Sequence, residues 1–187
     1  MTAPTLISRS GQLEVDLDAD TALEQLYAAH WRGLVRLAVL LLRDQGAAEE
    51  VTQDAFVAMH GRWWTLRDPD KALAYLRKTV VNRSRSALRH RGVVERYAAR
   101  QRPGLTLADP ADAPTLVHDR RTAVLDALRA LPTRQREVLV LRHYLELSEE
   151  EIAETLGISR GSVKAHASRG SAALRKTLAD QLQEGSL

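Results

Sequence analysis

The residues with the most chemical reach lie near the C-terminus, where Arg160, Lys164, His166, Ser168, Arg169, Arg175 and Lys176 fall on one predicted helix. Guanidinium and ammonium groups bond phosphate oxygens and the edge of guanine, and short hydroxyl side chains bond either. The chemistry of such a row is the holding of a polyanion. A second basic stretch, residues 77–102, carries Arg77, Lys78, Arg83, Arg85, Arg89, Arg91, Arg96, Arg100 and Arg102 against the single carboxylate of Glu95. Within it stands Asn82, a mediocre helix former whose amide can bond a base edge or, equally, face water. Trp63, Trp64 and Leu66 come just before. One tryptophan is expected in the core, while an exposed ring or Leu66 beside a basic helix could stack on unpaired bases.

Nothing comparable points to catalysis. The six histidines, His30, His60, His90, His118, His143 and His166, stand singly, with no H-E-x-x-H or other close ligand pair. There is no G-x-S-x-G, phosphate-binding loop or dinucleotide fingerprint. With no cysteine, disulfides and thiolate metal sites are excluded. The carboxylate runs Glu49-Glu50 and Glu149-Glu150-Glu151 open predicted helices, where they meet the positive end of the dipole. The expectation is a protein with no catalytic residues, no cofactor and no metal.

The elements that must position the basic rows can be read from local signals. Over residues 148–175, Ser148 and Glu151 have the S-x-x-E spacing of a capping box. Ile152, Ala153 and Leu156 share a face. Gly157 stands where a helix ends in a left-handed turn, Ile158 plugs the angle, and Ser159 caps the next helix. Val163, Ala167 and Leu174 are left to pack. Helix, glycine turn and basic helix in this order make a helix-turn-helix, whose second helix enters the major groove. The bland alternative is an ordinary helical hairpin with a solvated basic face.

Upstream, residues 1–20 show no helical period and carry Glu14, Asp16, Asp18 and Asp20 against Arg9. They are expected to form a disordered acidic arm. Thr21 and Glu24 form a possible capping box. Leu23, Leu26, Tyr27, Leu34, Leu37, Ala38, Leu41 and Leu42 then repeat at helical steps up to a turn at Asp44 and Gly46. A second helix over 47–63 turns Val51, Ala55, Phe56 and Met59 inward, and Asp68-Pro69 restarts a third that buries Leu73, Leu76 and Val80 to about His90. Residues 92–118 hold Pro103, Gly104, Pro110 and Pro114 and are expected to be a flexible linker. From Asp119 a second module follows, with Val124, Leu125, Leu128 and Leu131 on one helix and, after Pro132, Val138, Leu139 and Leu141 on the next. The fold class is all-α, with units at 21–91 and 119–180.

The 187 residues are 44% hydrophobic with one Phe, so the cores rest on Leu, Val and Ala, which suit small helical bundles. The net charge of +3 is modest and its uneven distribution is the informative part. The apolar run 34–42 is interrupted by Arg36 and too short to span a bilayer, and the first residues lack a signal-peptide pattern. A soluble, cytoplasmic protein with no membrane insertion is expected.

Three blocks carry a family resemblance. They are AAEEVTQDAFVAMHGRW (47–63), AYLRKTVVNRSRSALRHR (74–91) and the segment from Leu128 to Arg175 that holds the helix-turn-helix. In this order they resemble the extracytoplasmic-function (group IV) sigma factors of bacterial RNA polymerase, most closely an actinobacterial-type branch of the sigma-70 family. The first block is similar to that family's polymerase-binding helix, the second to its W-L-x-x-[IA]-x-x-N-x-x-x-D-x-x-R-[RK] helix. Here Tyr75 replaces the usual Trp and Ser86 a common Asp, while His166 and Ser168 stand where many members have arginine and an aromatic. These departures weaken any inference about promoter sequence.

The resemblance implies a region 2 module that binds core RNA polymerase and melts the −10 element, and a region 4 module that reads the −35 element. Glu50, Gln53 and Asp54 would face the β′ clamp helices. The loop containing Leu66 and Arg67 would capture a flipped base together with Asn82, and Lys78, Arg83, Arg85 and Arg89 would hold backbone. In region 4, which would dock on the β flap, residues 159–175 would enter the major groove. There Lys164, Ser168 and Arg169 occupy base-reading positions beside His166, while Ser159 caps and Arg160, Ser162 and Arg175 hold phosphates. The linker would thread toward the RNA exit. An anti-sigma factor is implied as a restraining partner, and the protein would act as a monomer on the polymerase.

The energetics of recognition favour the same arrangement. One helix-turn-helix reads a few base pairs at about 1–3 kcal/mol per good contact, too little to find a promoter among genomic competitors. Repressors answer this by dimerising, and no spare apolar seam is visible. A tethered second reader answers it through effective concentration. The rival readings are a dimeric helix-turn-helix regulator, because the third block also resembles response-regulator output domains, and a protein-binding adaptor that leaves DNA alone.

Overall fold

A computed structural model describes residues 9–65, 68–101 and 116–184, and every regular element among them is helical. Helix α1 spans Arg9–Leu42, α2 Gln45–His60, α3 Pro69–Gln101, α4 Leu116–Ala130, α5 Thr133–His143, α6 Glu149–Leu156 and α7 Arg160–Glu184. A single 3₁₀ turn, Trp63–Thr65, follows α2.

Helix α1 begins twelve residues before the capping box expected at Thr21, so residues 9–20 of the expected arm are helical. Extending an existing helix costs far less than nucleating one, and acidic residues are favoured toward a helix N-terminus. Residues 1–8 lie outside the described residues. The turn after α1 also differs in detail from the expectation. Arg43, not a glycine, takes the left-handed conformation (φ 55°), and Gly46 lies inside α2. Arg43 is held there by its N–H on the Val39 carbonyl (2.7 Å) and by an ion pair to Asp126 of α4. Asp44 then caps α2, accepting from the Ala47 N–H at 2.9 Å.

Helices α1, α2 and α3 pack on one another through Leu37, Ala38 and Leu41, the expected inner face Val51, Ala55, Phe56 and Met59, and Leu76 and Val80. Trp63 is buried, which meets the expectation of one tryptophan in the core. The Asp68-Pro69 restart works as read, with the Asp68 carbonyl accepting the first bond of α3 from the Ala72 N–H. The expected end near His90 is wrong. Helix α3 continues through Gly92 to Gln101, because a helical glycine costs only about 1 kcal/mol and no proline intervenes before Pro103. The expected linker is therefore helical at 92–101 and again at 116–118, and 102–115 lie outside the described residues.

Helices α4 to α7 form the second module around Leu128, Leu131, Val138, Leu139, Leu141, Ile152, Leu156, Val163 and Ala167. Val124, expected to line its core, is instead exposed. At Gly170, α7 passes so close to α5 that an added Cβ would lie 3.1 Å from Leu139 Cδ1 and 3.2 Å from Gln135 Cβ. The two modules share a continuous buried cluster: α1 packs against α4 and α5, and α3 against α6. The separate small cores expected on a slack tether are joined here.

Candidate nucleic-acid interface

The helix-turn-helix is assembled from the local signals in its sequence. The Ser148 hydroxyl accepts from the Glu151 N–H (3.2 Å), and the Ser148 N–H donates to the Glu151 carboxylate (2.8 Å). The Ser148 N–H, and after it the Ser148 hydroxyl, hold the Glu151 carboxyl below its usual value. Gly157 ends α6 with φ 64° and ψ 42°, a conformation an L side chain adopts only with strain. The Ile158 N–H returns to the Ala153 carbonyl (3.1 Å), and the Ile158 side chain packs on the core. Ser159 caps α7 by accepting from the Ser162 N–H at 3.1 Å.

With Val163, Ala167 and Gly170 buried, α7 turns its opposite face outward. Arg160, Lys164, Ser168, Arg169 and Arg175 all lie exposed on that face, and Ser159 caps its start. Ser162 is half-buried, its hydroxyl bonded to that of Ser159. His166 is also half-buried, and its Nδ1 is enclosed without a hydrogen-bond partner. It stands on the inner edge of α7, off the row where it was expected, because it lies three residues from both Val163 and Arg169 on the turn between faces. Lys164 reaches Glu149 at 3.7 Å, and Arg142 holds the same carboxylate at 2.8 Å. A pair of that length with an exposed lysine is weak, which leaves the lysine available to a stronger anion.

On α3, Lys78, Asn82, Arg85 and Arg89 recur at three- and four-residue steps and so share one face. Lys78, Asn82 and Arg89 are exposed, with Arg89 bonded to the Ser86 hydroxyl at 3.0 Å. Arg85 donates to Asn82 Oδ1 (3.3 Å) and, through Nε and Nη2, to both carboxylate oxygens of Glu137 in α5 (2.9 and 3.0 Å). Arg83 points elsewhere, toward α2, where it meets Asp54 at 2.5 Å. Leu66 and Arg67 lie outside the described residues. On α2, Glu50 and Gln53 are exposed opposite the buried face, and Asp54 is half-buried under Arg83.

Sequence reasoning missed the groups that tie the modules together. Glu137 is only 2% exposed and bonds Arg134 (3.1 Å) as well as Arg85. Arg136 is buried beside it and donates to the carbonyls of Leu128, Arg129, Leu131 and, across the interface, Leu41 (2.7 Å). Burial pulls its pKa below the usual guanidinium value, opposed by the neighbouring Glu137. The Tyr144 hydroxyl donates to the Gly33 carbonyl at 3.1 Å. A signal was available: Arg136 and Glu137 sit between Pro132 and the apolar run 138–141, where a charged pair is out of place unless it is partnered.

Comparison with known proteins fits this geometry. Residues 26–94 match the family described as Sigma-70 region 2 and residues 121–174 that described as Sigma-70, region 4. The "RNA polymerase sigma-E factor" of Streptomyces coelicolor is 37% identical over 145 residues, 78% of this chain and 79% of that protein. The "ECF RNA polymerase sigma factor SigM" of Mycobacterium tuberculosis is 31% identical over 159 residues, 84% and 77% of the two chains. Among solved structures, the sigma factor RpoE from Bartonella quintana, in complex with the anti-sigma factor NepR, superposes with a TM-score of 0.65 at 23% identity, covering 83% of this chain and 95% of its own. CnrH, in complex with the cytosolic domain of CnrY, gives 0.64 at 24%, covering 88% and 97%. At these identities the two structures speak for the fold.

Proposed function

Because the chain belongs to the extracytoplasmic-function sigma factors of the sigma-70 family, we propose that its two exposed basic helices, α3 and α7, read the two elements of one promoter while the α2 row holds core RNA polymerase. The protein is an alternative sigma factor directing promoter-specific initiation. It contributes no bond-breaking step. It positions the polymerase and traps unpaired bases, so strand opening becomes a binding equilibrium.

The observation that carries the residue assignments is the exposed α7 row. Lys164, Ser168 and Arg169 face outward on a helix presented by a well-capped partner, the arrangement that fits a major groove. Arg160 and Arg175 on the same exposed face would take phosphates. On α3, Asn82 would receive a base flipped from the −10 element, with Lys78, Arg85 and Arg89 along the backbone. Arg83 would join them once released from Asp54, and Leu66 and Arg67 belong to the same proposal. Glu50 and Gln53, with Asp54, would meet the β′ clamp helices, and the second module the β flap. RpoE of Bartonella quintana was solved with an anti-sigma factor, which supports restraint of this chain by a partner of that kind. Among the described residues no helix is long and apolar enough to cross a membrane.

Transcription from a promoter template tests the division of labour. Asn82→Ala should initiate poorly on duplex DNA and recover on a template opened in advance over the −10 element. Equal activity on both templates would remove Asn82 from strand opening. The rival reading, a dimeric regulator, predicts a dimer on a palindromic duplex and no affinity for core polymerase.

A further inference from the structure

The face of α3 proposed to hold the melted strand is partly occupied by the protein itself. Arg85, 22% exposed at its side chain, gives two hydrogen bonds to Glu137, and a third links it to the oxygen of Asn82. Glu137 belongs to the other module and is almost wholly enclosed, with Arg134 completing its coordination. A two-point arginine–carboxylate pair is the strongest kind of side-chain ion pair, and its geometry imitates the phosphate that Arg85 would otherwise grip. The remaining contacts across the interface hold this pair in place. They are Arg136 on the Leu41 carbonyl, Tyr144 on the Gly33 carbonyl, the Arg43–Asp126 ion pair and the shared apolar core.

We infer that Glu137 is an internal competitor for DNA: in the free protein its carboxylate occupies Arg85 and, through it, Asn82, and single-stranded DNA is admitted only when the two modules part. This rests on the reading of α3 as the strand-holding helix. The α7 face is held more loosely, since Lys164 meets its carboxylate at 3.7 Å where Arg85 meets Glu137 at 2.9 Å, and Ser168 and Arg169 are exposed. The free protein is thus blocked at Arg85, in the middle of the α3 row, and open toward the duplex. Polymerase, by holding the modules at separate positions, would shift the population to the competent form. Apparent affinity is the intrinsic affinity reduced by the fraction of open molecules.

The test uses the full-length protein without polymerase. The chain has no cysteine, so Val57→Cys and Glu154→Cys, both exposed, accept a donor and acceptor dye on α2 and α6. Glu137→Gln keeps the shape and removes the charge. It should lower energy transfer between the dyes and tighten binding of a fluorescein-labelled 20-nucleotide poly(dT) by about tenfold. Asp180→Asn, which removes an exposed charge far from the interface in sequence, sets the baseline for charge alone. Lowered transfer with no gain over that baseline would overturn the proposal, and so would unchanged transfer. Should Glu137→Gln fail to fold, the double variant Asp126→Asn with Tyr144→Phe loosens the same interface from its other side and must give the same two changes. Run-off transcription by the unaltered protein separates the two levels. If it succeeds while the variants gain nothing, only the internal competition falls. If it fails, the promoter reading falls and takes this inference with it.

Discussion

The guanidinium of Arg136, on α5, donates to the carbonyl of Leu41 at the last turn of α1, 2.7 Å away and 95 residues distant in sequence. The same side chain closes the carbonyl end of α4 through Leu128, Arg129 and Leu131. Helix C-termini leave carbonyls without intrahelical donors, and here one buried cation serves two of them. The bond to Leu41 makes the end of α1 part of the second module's capping scheme.

Removing that cation should therefore cost more than a surface substitution. Arg136→Ala takes a charged donor from four carbonyls, those of Leu41 and Leu131 among them, and is expected to destabilise the protein by about 3 kcal/mol, read as a lowered urea midpoint at constant slope. Arg136→Lys restores the charge but not the planar fork, and should recover only part of the loss.

The tight crossing of α7 over α5 at Gly170 predicts a second effect. Gly170→Ala removes a glycine from a helix, which by itself would stabilise by about 1 kcal/mol. The new Cβ would meet Gln135 Cβ, fixed on its own backbone, at 3.2 Å and Leu139 Cδ1 at 3.1 Å. Overpacking costs about 1–3 kcal/mol, so the net change should be destabilising. The shift should appear in the same denaturation measurement and should weaken −35 duplex binding by moving α7.

Acid should loosen the caps in a defined direction. The backbone N–H of Ala47, assisted by Arg91, holds the Asp44 carboxyl below its usual value, and Ser148 does the same for Glu151. A carboxyl lowered on folding contributes stability that is complete above its unfolded value and vanishes as pH falls through the folded one. Stability should be flat from pH ~7 to ~5 and decline below pH ~4. Asp44→Asn and Ser148→Ala should each flatten part of that decline, and Ser148→Ala should also cost about 1 kcal/mol at neutral pH. A decline unaffected by either substitution would contradict the assignment.

The exposed α7 row makes a fourth prediction. Lys164→Ala should weaken −35 binding and alter preference at a single base pair, whereas Arg160→Ala should weaken all sequences alike and reduce the salt dependence by about one unit. Base-pair substitution and salt titration of duplex binding distinguish the two.

The helix-turn-helix was legible because its determinants are local. Ser148, Glu151, Gly157 and Ser159 each act within four residues of their own position, and short-range patterns survive in any tertiary setting. The inner faces of α2 and α3 were legible for the same reason. The ends of α1 and α3 were not, since residues 9–20 and 92–101 hold no proline and a glycine such as Gly92 is tolerated inside a helix at about 1 kcal/mol. His166 and Val124 were misplaced because periodicity does not say how wide a buried stripe will be. The pairing of Arg85 with Glu137 spans 52 residues and required knowing how the two modules meet.

Run-off transcription with purified core enzyme asks whether this chain selects promoters for RNA polymerase through its two modules. Adding the protein should give defined transcripts from a small set of promoters, and these should be lost on the same templates when the protein carries Lys164→Ala or Asn82→Ala. Transcription no different from that of core enzyme alone would contradict it.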